Sequence, residues 1–112
     1  MREIKFRGYV KNKNKWVYGL LGKYDNRYCI YDGSNTTCFV EEDSIGQYTG
    51  FKDRNGKEIY EGDIVIDNFG LRQVVEYNDE LGLWETYEID DKTDRTDLYR
   101  YYSMCEVIGN VF

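Results

Sequence analysis

Short runs in which apolar and polar residues alternate recur along the whole chain. In Glu3–Arg7 the period is two, which predicts a strand that buries Ile4 and Phe6 and turns Lys5 and Arg7 to solvent. Further strands are predicted at Trp16–Leu20, Arg27–Tyr31, Thr36–Val40, Ile64–Ile66, Arg72–Tyr77 and Leu81–Tyr87. Short strands with a bend about every eight to twelve residues predict an all-β fold, a small barrel of antiparallel strands with little helix.

Turn-forming residues separate these runs. The polar run Lys11–Lys15 predicts a hairpin loop, and Asp32–Asn35 predicts the next turn. Asn55-Gly56 predicts a type I′ turn, because both central positions of that turn need a positive φ, and Gly62-Asp63 predicts another tight bend. The remaining turns are predicted at Asn68–Gly70 and Asn78–Glu80.

Three stretches lack a clear strand pattern. Glu41–Ser44 fits either one helical turn or a loop, and Leu98–Met104 fits either a strand or a short helix. The polar run from Asp90 to Asp97 predicts a solvated loop. Its aspartates could collect a hard cation such as Ca²⁺, but the run lacks the glycine and terminal glutamate of an EF-hand, so no metal site is predicted. The four aspartates are Asp90, Asp91, Asp94 and Asp97.

The composition narrows the possible functions. The 112 residues include no alanine, no proline and no histidine. Alanine is the best helix former and histidine the commonest general base, so a helical bundle and a histidine-dependent enzyme are both disfavoured. The core must then be built from aromatic and branched residues, with Trp16 and Trp84 as anchors. Carboxylate pairs are too numerous to single one out as catalytic, and the absence of a glycine-rich phosphate loop leaves no cofactor predicted.

Charge divides the chain unevenly. Residues 1–27 hold eight basic and two acidic side chains, a net charge of +6, and the remaining 85 hold seven basic and nineteen acidic ones, a net charge of −12. The length fits one domain, 1–112, with a soft seam near residues 44–47. The basic segment could contact phosphates of a nucleic acid, although an overall charge of −6 disfavours this. The side chains concerned are Lys5, Lys11, Lys13, Lys15 and Arg27.

The cysteines and the first residues of the chain indicate the cellular compartment. Cys29, Cys38 and Cys105 form no CxxC pair, and buried free thiols are expected. The charged residues from Arg2 onward do not fit a signal peptide, and no apolar run reaches the roughly 20 residues of a membrane span. A cytoplasmic protein without membrane contact is predicted.

The stretch Gly46–Ile66 resembles the signature of the YopX family, small proteins carried by bacteriophages and prophages. Arg2–Arg7, Val74–Tyr77 and Glu106–Val111 are similar to the start, a middle strand and the closing strand of that family. The regions from Gly8 to Ser44 and from Asp79 to Met104 match weakly. The resemblance implies an all-β fold with an SH3-like barrel in the C-terminal half and a cytoplasmic homo-oligomer, and it implies no reaction.

Two groups of residues are candidates for binding. The signature's glycines and apolar residues are explained by turns and core, whereas Gln47, Thr49, Asp53 and Glu61 could line a shared groove with Tyr48 and Tyr60. A tyrosine cluster is expected to present at least one ring at the surface. This cluster consists of Tyr99, Tyr101 and Tyr102.

These observations favour a non-enzymatic accessory protein of a phage, acting on a host component in host takeover or counter-defence. It would bind a host protein through its acidic and aromatic surface, or sequester a nucleotide signal with basic residues on phosphates and tyrosines on bases. The competing hypothesis is a small barrel that binds nucleic acid directly through the basic segment.

Overall fold

Eleven short strands account for the regular structure of this chain. The computed structural model describes residues 2–34 and 37–112, and within these ranges the strands form antiparallel ladders with no α-helix. The all-β prediction is therefore confirmed. The strands are β1 (Phe6–Val10), β2 (Lys15–Tyr24), β3 (Arg27–Tyr31), β4 (Thr37–Phe39), β5 (Gly46–Lys52), β6 (Glu58–Tyr60), β7 (Asp63–Ile66), β8 (Arg72–Asn78), β9 (Leu83–Glu88), β10 (Asp91–Asp97) and β11 (Glu106–Asn110).

The chain forms two compact units. The first comprises residues 1–48 together with Phe112, and the second comprises residues 49–111. The division falls between Tyr48 and Thr49, next to the region where the sequence predicts a seam, and the number of domains stays a prediction.

In the first unit the strands lie in the order β4-β3-β2-β1-β5. The turn between β2 and β3 has the two consecutive positive φ values of a type I′ turn, 51° at Asp25 and 62° at Asn26. One layer of buried apolar side chains packs against this sheet. It consists of Val10, Val17, Ile30 and Cys38, with Phe6, Leu21 and Val40 beside them.

The prediction for the first strand is wrong at two residues. Ile4 precedes the strand and is 56% exposed, whereas Arg7 is buried. Arg7 pairs with Tyr18 on β2 and with Gly46 on β5, so ladders flank it on both sides. Its guanidinium lies 4.9 Å from the ring centroid of Trp16, and this cation–π contact lets the charged group remain inside.

In the second unit, β6 neighbours the end of β5, and a five-stranded sheet has the order β10-β9-β8-β7-β11. Ile59, Val65, Val75 and Leu98 are at most 1% exposed and form the centre of its core. Among the described residues no ladder joins β10 to β11, and barrel closure is not seen. The SH3-like detail of the fold stays a prediction.

The turn at Asn55-Gly56 forms at the predicted position with a different geometry. Gly56 has a φ of 81°, but Asn55 is not among the residues with positive φ, which excludes type I′. The N–H of Gly56 donates to the carbonyl of Asp53, and the Asp53 carboxylate accepts from the backbone of Asn55 and Lys57. Aspartate at the first position is typical of a type I turn. At Gly62 a φ of 87° confirms the predicted bend.

The other open stretches form short 3₁₀ turns or a strand. Glu42–Ser44, Leu98–Arg100 and Tyr102–Met104 are single 3₁₀ turns. The loop predicted between Asp90 and Asp97 is wrong, because Asp91–Asp97 forms edge strand β10 against β9. Charged side chains suit such an edge, since they prevent pairing with further strands.

Several smaller expectations can be compared with the structure. The three cysteines are free and buried, as predicted. Trp16 and Trp84, predicted as core anchors, are half-buried, and Trp84 packs against the core of the second unit. Of the strand predicted at Thr36–Val40, Thr36 lies outside the described residues. Within residues 2–34 and 37–112, no helix has the length and apolar character to cross a membrane.

Candidate ligand-binding groove

A groove of about 790 Å³ opens on the first unit and carries most of its predicted phosphate-binding residues. A volume of this size is typical of sites for small molecules. Three stretches line it: residues 10–13, residues 26–28 and residues 37–42. Lys11, Lys13 and Arg27, three of the five basic residues predicted to contact phosphate, are among the lining residues.

Local structure explains why the lysines reach the groove. Lys11–Lys13 forms one 3₁₀ turn between β1 and β2, without a buried residue. Asn14 ends the turn with a φ of 49°, and asparagine tolerates this left-handed conformation better than most residues. The hydroxyl of Tyr9 donates to Oδ1 of Asn14 over 2.9 Å, which ties the turn to β1. The lysine side chains therefore project from a fixed backbone.

The arginine and the two rings of the groove belong to the β3–β4 edge. Arg27 begins β3 directly after the type I′ turn, and its guanidinium lies 3.8 Å from the ring centroid of Phe39 on β4. Tyr28 is the second aromatic lining residue; its side chain lies on the opposite side of the β3–β4 pair from those of Arg27 and Phe39, and the Nζ of Lys23 lies 5.1 Å from its ring centroid. Guanidinium groups and aromatic rings are the two groups on which nucleic-acid bases stack.

Two carboxylates also line the groove. The N–H of Glu41 donates to the carbonyl of Tyr9, and the hydroxyl of Ser44 accepts from the N–H of Tyr9 and donates to the carbonyl of Glu41. These bonds hold Glu41 and Glu42 beside β1. Three cations against two carboxylates leave the lining with a small positive charge. Among the described residues, none of the three cations forms an ion pair with a carboxylate.

The other two predicted phosphate contacts lie elsewhere. Lys5 is 3.8 Å from the carboxylate of Glu3 and 5.3 Å from the ring centroid of Tyr48. Lys15 begins β2 opposite Val10 and is exposed. Neither lysine lines the groove. The structure thus gathers three of the five residues and leaves two apart.

Pairing and hydrogen bonds within the fold engage several of the candidate residues in the Gly46–Ile66 stretch. Tyr48 is buried, and Gln47 is half-buried and pairs with Phe6 on β1. In the second unit, the Thr49 hydroxyl donates to the carbonyl of Ile59 and accepts from the N–H of Phe51. None of these residues lines the groove described above.

The remaining two candidate residues of that stretch are Tyr60 and Glu61. Tyr60 is 2% exposed, and its hydroxyl donates to the carboxylate of Glu58 over 3.0 Å. Glu61 is half-buried beside the bend at Gly62. The shared groove expected for the polar residues of the stretch stays a prediction.

Asp53 holds the second unit together. Its Oδ1 accepts from the N–H groups of Asn55 and Lys57, and its Oδ2 accepts from the N–H of Val107 on β11, each over 2.9 Å. Burial alone would raise the pKa of Asp53, but the hydrogen bonds from Val107, Lys57 and Asn55 outweigh it and lower this pKa below its usual range. The ionised carboxylate of Asp53 therefore joins the turn at Asn55-Gly56 to strand β11 through hydrogen bonds.

The three clustered tyrosines have different surroundings. Tyr99 is 69% exposed, whereas Tyr102 is half-buried and stacks on Phe51 with centroids 4.7 Å apart. Tyr101 is buried, and its hydroxyl hydrogen-bonds with Thr86 and Gln73. Burial is the main cause that raises the pKa of Tyr101. An exposed ring was predicted, and Tyr99 provides it.

The aspartates of the 90–97 run do not converge on one point. Asp91 accepts from the N–H and hydroxyl of Thr93, and Asp97 accepts from the N–H of Tyr99. In the part of the chain that the structure describes, no group of three or more histidine, cysteine, aspartate or glutamate side chains is placed to hold a metal ion.

Sequence reasoning missed the two aromatic and the two acidic residues of the groove lining, which are Tyr28, Phe39, Glu41 and Glu42. The turn predicted at Asp32–Asn35 indicates that the strands on either side of it pair, but the order of residues gives no sign that this pair lies beside the Lys11–Lys13 turn. The nearest signal is Arg27-Tyr28, a basic residue next to an aromatic one at a strand start.

A comparison with known protein families gives one clear result. The model of the YopX protein family matches residues 5–112. The chain belongs to the YopX family. The match extends through residues 8–44 and 79–104, where the resemblance by eye is weak, so the groove lies inside the YopX match. No curated protein matches the chain.

Proposed function

We propose that this YopX protein is a non-enzymatic accessory protein of a phage or prophage that acts on a host component, and that it sequesters a nucleotide-type ligand in the groove of its first unit. The observation that carries the proposal is the combination of Lys11, Lys13 and Arg27 with the aromatic ring of Phe39, which contacts the Arg27 guanidinium, in the lining of one groove. Basic side chains bind phosphate, and rings bind the face of a base.

The two carboxylates favour a nucleotide over a nucleic-acid strand. Glu41 and Glu42 could accept hydrogen bonds from ribose hydroxyls or exocyclic amino groups. They would also repel the continuous phosphates of a polymer, because an extended backbone cannot keep all its charges beside the three cations. A ligand with few phosphates can place its phosphates beside the three cations and its hydroxyl or amino groups beside the two carboxylates.

Arg27 is the residue to change first. Arg27→Gln removes a charged fork that can bind phosphate bidentately, and the expected loss of affinity is about 10- to 100-fold. Lys15→Gln is the matched control, because Lys15 is exposed, belongs to the same unit and lies outside the groove lining. It should change affinity by less than about twofold.

A thermal-shift screen with cyclic and linear nucleotides tests the proposal. A ligand at 100 times its Kd adds about 2.7 kcal/mol to the free energy of unfolding, which raises the Tm of a chain of this length by about 10 °C. No shift with any nucleotide would contradict sequestration. Bound nucleotide should be recovered unchanged in a ³¹P NMR time course, and turnover would contradict the non-enzymatic assignment.

Binding to a host protein is the second candidate, and the charge of the second unit favours it. That unit holds fifteen acidic and seven basic side chains, and acidic side chains lie along edge strand β10. Such a surface could occupy the basic groove of a nucleic-acid-binding host protein. A pull-down from host lysate, repeated at about 0.5 M salt, should return a partner whose binding falls with salt.

The nucleic-acid alternative makes a different prediction. Direct binding of DNA or RNA through the basic segment needs Lys5 and Lys15 as well as the groove residues, so Lys15→Gln would weaken binding and reduce its salt dependence. Failure to retain DNA or RNA at about 50 mM salt would exclude this function.

A further inference from the structure

The carboxylate of Glu41 lies beside the aromatic ring of the groove. Cys38 and Val40 both pack into the core of the first unit. The residues that alternate with them, Phe39 and Glu41, therefore lie on the opposite side of the chain. Glu41 continues the extended backbone of β4, with a φ of −69° and a ψ of 129°. The Phe39 ring and the Glu41 carboxylate thus leave the chain on the same side, two residues apart.

Arg27 belongs to this side of the sheet as well. The N–H of Val40 donates to the carbonyl of Tyr28, so the antiparallel register of β3 and β4 continues past the last residues of the ladder. The same register brings Arg27 opposite Glu41. Among the described residues, the Glu41 side chain forms no ion pair and accepts no hydrogen bond, whereas the Arg27 guanidinium covers the ring of Phe39.

The guanidinium, the ring and the carboxylate together provide a place for one base. Arg27 is exposed, and its guanidinium has one face on the Phe39 ring, so a base can stack on the other face. The edge of that base then faces Glu41. The carbonyl of Tyr9, two residues before the Lys11–Lys13 turn, accepts from the N–H of Glu41, which keeps the lysines close to this point for the phosphate.

A carboxylate distinguishes the bases by the donors that they present. Both of its oxygens are acceptors when it is ionised. Guanine carries a ring N–H and an amino group side by side on one edge, so it can donate two parallel hydrogen bonds to one carboxylate. Adenine and cytosine have an acceptor nitrogen beside the amino group, and uracil has its N–H between two carbonyls. With the same edge, each of these bases donates one hydrogen bond and sets an acceptor against the second oxygen.

Glu42 does not share the placement of Glu41. It begins the 3₁₀ turn Glu42–Ser44, where the backbone no longer alternates as in a strand. It is exposed, and it lines the same groove. Glu42 is therefore a matched control, with the same side chain at the next position.

We infer that Glu41 makes the groove selective for guanine, so that a guanine nucleotide is the ligand that this protein sequesters. The inference rests on the proposed binding of a nucleotide in the groove. Guanosine monophosphate should bind about 10- to 100-fold more tightly than adenosine monophosphate, because two hydrogen bonds to a charged group are made with guanine only. Inosine monophosphate, which lacks the amino group of guanine, should have an intermediate affinity.

Glu41→Gln provides the sharpest test, because it changes which base the site prefers. A glutamine amide has one acceptor and one donor, and this pair matches adenine instead of guanine. The ratio of the two affinities should therefore fall to about one or invert. The hydrogen bonds of Glu41 to Tyr9 and Ser44 involve its backbone, so the variant should keep the fold.

Glu42→Gln removes the same charge from the groove. It should change the affinities for guanosine, inosine and adenosine monophosphate by a common factor and leave their ratios within about twofold of those of the unmodified protein. A general effect of negative charge on phosphate binding would act equally in the two variants, whereas recognition of the base edge appears only in Glu41→Gln.

Isothermal titration calorimetry with the three monophosphates, and with the other cyclic and linear nucleotides of the panel, measures these ratios. Tighter binding of the guanine members, with a ratio that falls in Glu41→Gln and not in Glu42→Gln, would support the inference. Equal or tighter binding of an adenine or pyrimidine nucleotide, or a ratio unchanged in Glu41→Gln, would overturn the inference and leave nucleotide binding standing. Absence of binding by every nucleotide would contradict the proposed function and the inference together.

Discussion

Replacement of Asp53 by asparagine should destabilise the second unit markedly. The carboxylate of Asp53 accepts three backbone N–H groups, and one of them, from Val107, joins the turn to β11. An amide has a single oxygen, so its NH₂ group must face at least one of these donors. Asp53→Asn therefore loses one or two hydrogen bonds to a charged acceptor and creates a donor–donor contact.

The size of the effect follows from these bonds. Hydrogen bonds to charged groups contribute about 1.5–3 kcal/mol each, so the expected loss in the free energy of unfolding is about 3 kcal/mol at pH 7. For a chain of this length that corresponds to a fall in Tm of about 10 °C. Asp94→Asn makes the same chemical change at an exposed position of β10, and its expected effect is below about 0.5 kcal/mol.

The pH dependence provides a second readout. Because the pKa of Asp53 is lowered in the folded state, its ionised form stabilises the fold above the unfolded pKa of about 3.9. This stabilisation is lost as the pH falls through the folded pKa, so the difference between the unmodified protein and Asp53→Asn should shrink below about pH 4.

Urea unfolding followed by circular dichroism, together with hydrogen exchange at the Val107 amide, measures both effects. Exchange at Val107 should be faster in Asp53→Asn and unchanged in Asp94→Asn. A loss below 1 kcal/mol at pH 7, or a difference that does not change with pH, would refute the role assigned to Asp53.

Three further predictions concern packing. Gly19→Ala should abolish the folding of the first unit, because its Cβ would lie 1.9 Å from the carbonyl oxygen of Tyr31; Gly109→Ala, with no atom within 4 Å, should fold normally, as judged by soluble yield and circular dichroism. Tyr101→Phe should lower the free energy of unfolding by about 1–3 kcal/mol in urea, because it leaves buried polar partners unsatisfied, and an unchanged value would contradict the network. The native thiols should not react with a disulfide reagent at pH 8, because all are buried and burial raises the pKa of Cys105 to about 11; three should react in urea, and rapid native labelling would refute this.

Local patterns were sufficient to predict most of the fold. Alternation of apolar and polar residues, together with the turn residues between the runs, located most of the strands, although β8 and β9 each bury three consecutive residues. The Gly62-Asp63 pair before an apolar run predicted a bend, and the bend forms there because glycine adopts a φ of 87° without strain. The turn at Asn55 formed with another geometry because the Asp53 carboxylate accepts hydrogen bonds from the N–H groups of Asn55 and Lys57. The Asn-Gly pair alone does not reveal this interaction.

The candidate site depended on pairing between distant parts of the chain. Arg7 was predicted to be exposed, yet strands on both sides and the ring of Trp16 enclose it. Strand pairing also decides which predicted basic residues line the groove. Arg27 lies near Lys11 and Lys13 because β3 and β4 pair beside the Lys11–Lys13 turn. Lys15 begins the next strand and lies outside the groove. Sequence spacing alone cannot distinguish these outcomes.

The central claim is that the groove around Lys11, Lys13 and Arg27 binds a nucleotide. Titration of ¹⁵N-labelled protein with each cyclic and linear nucleotide of the panel, up to about 1 mM, tests it most directly, because every backbone amide reports separately. The account predicts saturable shifts for residues 10–13, 26–28 and 37–42 with at least one nucleotide, and their loss in Arg27→Gln. Shifts confined to other residues, or none with any nucleotide, would contradict it.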